Sequence, residues 1–155
     1  MAKARDIVRM SEAEISAFLA STQNLQVATL GPLGAPHLTT VWFAVHDGRI
    51  MFETYGSSQK VVNLRRDPRI AVLAEDGLTY GTLRGVSING RAQVVDENPR
   101  LFDLMRRLVG HHFPGLSAEA LDAQTTSMAA KRVVVVVHPE KVMSWDHTKL
   151  GGAGP

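Results

Sequence analysis

The chain has 155 residues, of which 45% are hydrophobic and 21% charged, with a formal net charge of +2. This is the composition of an ordinary globular protein with one core, and the mild basic balance is too weak for a nucleic-acid footprint. The absence of cysteine excludes disulfides, thiolate catalysis and cysteine-ligated zinc or iron–sulfur centres, so a redox role has to rest on a bound cofactor.

No apolar run approaches the ~20 residues of a membrane-spanning helix, and the run Val133 to Val137 is strand-sized. The N-terminal Met-Ala-Lys-Ala-Arg-Asp lacks the apolar stretch of a secretion signal, so a cytoplasmic protein with no membrane partner is expected. Ser11-Glu12-Ala13-Glu14 has capping-box spacing and precedes Ile15, Phe18 and Leu19 at helical period, which predicts a helix from Glu12 to Ala20. A strand follows from Leu25 to Leu30, then the turn-rich Gly31 to Pro36, then a strand from His37 to Val45, the two forming a hairpin. Trp42 and Phe43 on the second strand point to opposite faces. Asp47-Gly48 signals a tight turn that pairs Arg49 to Thr54 with the preceding strand.

The stretch Phe52 to Arg69 reads as a strand end, a turn of small polar residues, a short helix from Ser58 to Arg66 and a stop before Pro68. Gly56 supplies a residue tolerant of positive φ, and Ser57 or Ser58 supplies a helix cap. The free N–H groups of the helix start, the two hydroxyls and Lys60 in the first turn together suit an anion, with phosphate the natural guest. Val61 and Leu64 face inward with Val62 beside them, while Arg65 and Arg66 sit where the helix dipole favours cations.

Strands are further predicted over Arg69 to Ala74 and Thr82 to Val95, the second carrying Gly85 and Gly90 as marks of a bulge or bend. Asn98-Pro99 starts a helix with Leu101, Leu104, Met105 and Leu108 on one face, ended by Gly110; a loop follows, then a short helix from Ser117 to Leu121. Two last strands, Arg132 to Val137 and Val142 to Asp146, are separated by Pro139. Residues 1–150 are expected to form a single domain, and residues 151–155 a flexible Gly-rich tail. The fold class is mainly β (α+β): a split barrel of roughly six to seven antiparallel strands with short flanking helices.

Chemistry carried by side chains alone is hard to find. The six His residues are scattered without acidic neighbours at ligand spacing, which argues against a metal site. There is no Gly-x-Ser-x-Gly elbow, no P-loop and no dinucleotide-binding Gly-x-Gly-x-x-Gly, and the carboxylate pairs Glu75-Asp76 and Asp96-Glu97 fall at solvated turns.

Several strings carry a family resemblance: Val27-Ala28-Thr29-Leu30, Gly34-Ala35-Pro36-His37, Thr40-Val41-Trp42-Phe43, the run Lys60-Val61-Val62-Asn63-Leu64-Arg65-Arg66-Asp67-Pro68-Arg69, and Ser144 to Leu150. With them the chain resembles the pyridoxamine phosphate oxidase-like flavin-binding split barrels, most closely their actinobacterial branch that uses the deazaflavin coenzyme F420. The resemblance implies a homodimer with the cofactor in a groove between subunits. It places Ser57, Ser58, Gln59, Lys60 and Asn63 at the phosphate, Glu53 and Thr54 on the strand end before it, and Thr40, Val41 and Trp42 along the ring. Trp145 would approach from the partner subunit. Similar proteins often carry an Arg in the loop before the Gln-Lys pair, where this chain has Ser57-Ser58. The implied function is hydride transfer between reduced deazaflavin and a small conjugated acceptor. The alternatives are an FMN-binding oxidase-like protein and a non-catalytic carrier of flavin, haem or tetrapyrrole.

Overall fold

A computed structural model describes residues 4–151. The expected tail at 151–155 lies outside these residues apart from Gly151. A short helix, α1 (Ala4–Ile7), precedes α2 (Glu12–Ser21), where the predicted capping box forms: Ser11 Oγ accepts from Glu14 N, and Glu14 Oε2 accepts from Ser11 N at 2.6 Å. Lys149 Nζ reaches the same Glu14 oxygen at 2.7 Å, so these contacts hold the Glu14 carboxyl down to about 2. A carboxyl depressed in the folded state contributes stability above its ordinary range and loses it as the pH falls through its folded value. Glu14→Gln is therefore expected to flatten the acid limb of a melting-temperature profile between about pH 4.5 and 2. An unchanged profile would contradict this ion pair.

Strands β1 (Asn24–Leu30), β2 (Pro36–Trp42), β3 (Ala44–His46), β4 (Arg49–Tyr55), β5 (Arg69–Asp76), β6 (Arg84–Val95) and β7 (Arg132–Asp146) form one antiparallel sheet. Their order is β2-β1-β5-β6-β7-β4-β3. The predicted strand His37 to Val45 is in fact two: β2 pairs only with β1 on one edge, and β3 pairs only with β4 on the other. Phe43 alone separates them, so the two edges are consecutive in the chain and the sheet must curl round to meet itself. This is the split barrel. Phe43 is buried, whereas Trp42 is half exposed, as the alternation of a strand requires. Asp47 (φ 50°) and Gly48 (φ 71°) form the predicted turn between β3 and β4.

The barrel interior is filled by Leu25, Val27, Phe43, Phe52, Val72, Val86 and Val135, with Phe18 of α2 and Leu64 of α3 (Gln59–Arg66) joining the same cluster. A second cluster lies outside the barrel wall, where Met51, Val134 and Val136 meet Leu101, Met105 and Leu108 of α4 (Arg100–His112). The run Val133 to Val137 is thus apolar at every position because both of its faces are covered.

Other expectations differ from the structure at element ends and at one side-chain facing. Gly110 does not end α4, which runs on to His112; its missing side chain leaves room against Leu121 of α5 (Ala118–Ala129). That last helix extends over Ala118–Ala129, well beyond Leu121, and Ser117 caps it as predicted. Pro139 interrupts no strand: β7 is continuous, and a register shift at Asn89/Gly90 absorbs the irregularity. A Cβ on Gly90 would stand 2.1 Å from the carbonyl oxygen of His138, so only glycine fits that crossing. Val62 faces solvent, because Val61 and Leu64 already occupy the inward arc of α3. No helix among the described residues is long and apolar enough to cross a membrane.

Candidate functional site

The end of β4 and the start of α3 meet in the Gly56 to Ser58 turn. Gly56 does not adopt the expected positive φ; its N–H donates to Lys131 O at 3.0 Å and prolongs the pairing with β7. Ser58 N–H donates to Tyr55 O at 3.0 Å and closes the turn. Ser58 occupies the N-cap position with extended backbone, yet its hydroxyl makes no cap and lies 3.4 Å from Thr54 Oγ1 instead. The first N–H groups of α3 therefore keep no side-chain acceptor, which is the arrangement that receives an anion.

Lys60 points into this corner. Its ammonium donates to Thr54 Oγ1 at 3.2 Å and has no carboxylate within ion-pair distance among the described residues. Burial pushes the Lys60 pKa down, opposed by the charge of Glu53. A half-buried cation with one neutral partner is incompletely compensated, and an incoming phosphate supplies what is missing.

Behind the turn runs a polar chain that leads from the surface into the core. Gln59 Nε2 donates to Asn63 Oδ1 at 2.9 Å, and Asn63 Nδ2 donates to Thr29 Oγ1 at 3.0 Å. Arg66 reaches the same Asn63 oxygen at 3.4 Å and also the Leu30 carbonyl. Asn63 has no exposed surface, so its place in the site is to lock the helix to β1; a buried amide is not available to a ligand. Thr29 was not singled out by the sequence as a site residue. Its signal was a hydroxyl at an inward position of the Leu25, Val27, Thr29 alternation, where an apolar residue is the rule. Asn63→Ala is expected to cost about 1–3 kcal/mol in urea denaturation, because it strands the Thr29 hydroxyl and releases Gln59. The double change Thr29→Val with Asn63→Leu should cost less than Asn63→Ala alone; a larger loss would show that the chain is not an isolated polar unit.

Glu53 lies one residue before Thr54 and on the other face of β4. Its Oε2 is 3.2 Å from Arg132 Nε, at the first residue of β7. Arg132 also donates to Tyr55 OH at 3.2 Å, with its guanidinium carbon 4.6 Å from the Tyr55 ring centre. Burial raises the Glu53 pKa, while the charges of Arg132 and Lys60 oppose that rise. Arg132 belongs to this corner only through tertiary pairing.

The remaining candidates are on β2, which borders β4, and at the far end of β7. Thr40 and Trp42 are on the outer face of the edge strand β2, and Val41 points back toward the core. Trp42 packs against His112 at the end of α4, ring centres 5.5 Å apart. Trp145 sits at the far end of β7, roughly 40 Å along the strand from Arg132. Its ring lies over Gly85, where a Cβ would come within 2.2 Å of it. There it lines an open groove of about 900 Å³ with Arg9, Tyr80, Met143 and His147. By strand register, Thr40, Gln26, Leu73, Ser87 and Met143 form one row across the outer face of the sheet, so Trp42 and Trp145 share that face. The chain thus gathers Glu53, Thr54, Ser58, Gln59, Lys60 and Asn63 with the exposed Ser57, sets Thr40 to Trp42 on the strand that borders β4, and keeps Trp145 apart from them. The corner can hold an anion.

Comparison with known proteins agrees with this architecture. Residues 11–146 match the family model described as pyridoxamine 5'-phosphate oxidase. A conserved hypothetical protein from Mycobacterium tuberculosis is 44% identical, with a TM-score of 0.90 over 99% of this chain and 96% of that one. An F420 reductase has a TM-score of 0.62 at 22% identity, over 82% and 94% of the two chains. HutZ, the haem storage protein of Vibrio cholerae, has a TM-score of 0.68 at 15% identity, over 86% and 94%. No curated protein matches. With a family model spanning nearly all of the sheet and a close structural relative over almost its whole length, the chain belongs to the pyridoxamine 5'-phosphate oxidase family of flavin-binding split barrels.

Proposed function

We propose that this protein is a reductase dependent on the deazaflavin coenzyme F420, moving a hydride from the reduced cofactor to a small conjugated acceptor. The observation that carries the reading is the half-buried Lys60 ammonium at the head of α3, held by nothing stronger than the Thr54 hydroxyl. The free helix N–H groups and the Ser57 and Ser58 hydroxyls fit a phosphate there, and the Lys60 to Arg69 string favours the deazaflavin over FMN. The cofactor, when bound, supplies the hydride. The chain's own contributions are to bind the phosphate, to lay the ring along Thr40 to Trp42 and to exclude water.

We further propose a homodimer. Trp42 and Trp145 lie on one outer face, Trp42 exposed together with Leu38 and Met143, and Trp145 partly buried. The length of β7 separates Trp145 from the phosphate corner of its own chain. A second copy laid on that face would bring its Trp145 to the ring and cover the apolar surface. The test is fluorescence quenching with coenzyme F420 and FMN side by side, together with the solution mass. Binding of neither cofactor at micromolar concentration overturns the reading; a yellow protein on purification with preference for FMN moves it to the flavin branch.

The fold it shares with HutZ supports a second reading, a carrier that binds without turnover. A single-turnover absorbance assay separates the two, because any hydride transfer eliminates the carrier.

A further inference from the structure

The phosphate corner lacks an arginine in its loop, where Ser57-Ser58 stand, yet a guanidinium approaches from another strand. Gly56 N–H is bonded to Lys131 O at 3.0 Å, so the start of β7 is joined directly to the turn. The next residue, Arg132, pairs in register with Tyr55, one residue before that turn. Its planar group is oriented on two sides, by the Glu53 carboxylate at 3.2 Å and the Tyr55 hydroxyl at 3.2 Å, and rests on the Tyr55 ring. Half-buried, it is neither free to wander nor sealed from solvent.

We infer that Arg132 is the second cation of the anion site and that Glu53 is its counter-ion in the empty protein, released when a phosphate arrives. This rests on the phosphate reading of Lys60 given above. Glu53 itself cannot bind phosphate, since an ionised carboxylate only accepts hydrogen bonds and would repel the ligand. Its charge acts on Arg132 by direct contact and on Lys60 at longer range, so it can hold the guanidinium in place until an anion takes over. Arginine suits the task because its fork matches two phosphate oxygens at once, which the ammonium of Lys60 does not. A purely structural role for the Glu53–Arg132 pair makes the opposite prediction, because breaking such a pair from either side should only harm the protein.

The test compares coenzyme F420 with its phosphate-free deazaflavin riboside, using full-length wild type, Arg132→Gln, Arg132→Lys, Glu53→Gln and Lys60→Ala. Fluorescence titration gives both dissociation constants, and their ratio isolates the contribution of the phosphate-bearing part. Arg132→Gln is expected to lower that ratio at least tenfold, Arg132→Lys less so, and Glu53→Gln to tighten coenzyme F420 threefold to tenfold without moving the riboside. Melting temperatures show that each variant is folded; if Arg132→Gln is not, the lysine variant and Glu53→Gln carry the comparison. If Lys60→Ala lowers the ratio but the Arg132 variants leave it at the wild-type value, the inference is overturned and the Lys60 reading survives. If Glu53→Gln weakens binding, Glu53 is not a counter-ion and the inference is overturned on that side. A wild type that does not distinguish the two ligands overturns the phosphate reading, and this inference with it.

Discussion

Lys60→Ala is expected to weaken binding of coenzyme F420 or FMN by about 10- to 150-fold, equivalent to about 1.5–3 kcal/mol, the range for a hydrogen bond to a charged group. The basis is local and specific. Thr54 is the side chain that holds the ammonium, and no carboxylate lies within ion-pair reach among the described residues, so its removal breaks no ion pair. The whole loss should therefore appear in the complex and little of it in the melting temperature. The pH dependence has a definite sign. Burial lowers the Lys60 pKa, so the free protein gives up this proton at lower pH than an ordinary lysine does. Cofactor affinity should fall as the pH rises through that lowered value, and the fall should be absent in Lys60→Ala. The same depressed pKa means that the charged form costs folding stability at low pH, a cost relieved as the pH rises. Lys60→Ala should remove that slope as well. Isothermal titration at several pH values checks the first effect, and denaturation over the same range checks the second. Equal affinity of wild type and variant at every pH would show that Lys60 does not touch the ligand.

Phe43→Ala is expected to destabilise the fold by about 3–5 kcal/mol, the range for truncating a buried phenylalanine. Phe43 is almost fully buried in the barrel cluster and is the single residue between the two sheet edges. Its ring fills the interior at the point where the curled sheet is joined through the chain. A cavity there removes contacts from several strands and also loosens the link that sets β2 against β3. Trp42, its neighbour on the outer face, should lose its packing against His112, so a shift in Trp fluorescence should accompany the drop in stability. Urea denaturation followed by fluorescence and by circular dichroism measures both. A loss under about 1 kcal/mol would mean that β2 and β3 are held by their separate pairings alone.

Wherever neighbouring residues act on each other, the sequence was a good guide to this protein. The Ser11–Glu14 capping box, the Asp47-Gly48 turn, the stop before Pro68 and the opposite facing of Trp42 and Phe43 each follow from spacing, and each is found in the structure. The Lys60 corner was legible for the same reason: strand end, turn and helix start are contiguous, and the relevant cation lies in the first turn of the helix. The mainly antiparallel barrel followed from the density of short strands and turn signals.

Long-range partners decided the rest. Whether β2 runs straight into β3 or breaks at Phe43 depends on which sheet edge each half meets, and alternation along one strand carries no information about that. Pro139 reads as a breaker, yet β7 passes through it because the bulge is taken up by Gly90 on the neighbouring strand. Gly110 reads as a helix end, but the packing of α5 against it keeps the helix intact. Arg132 and Thr29 stood too far along the chain from Lys60 and Asn63 for any local pattern to connect them. They join the corner through the β4–β7 pairing and through the docking of α3 on β1, because burial and hydrogen bonding depend on distance in space, and only the folded sheet makes those distances short.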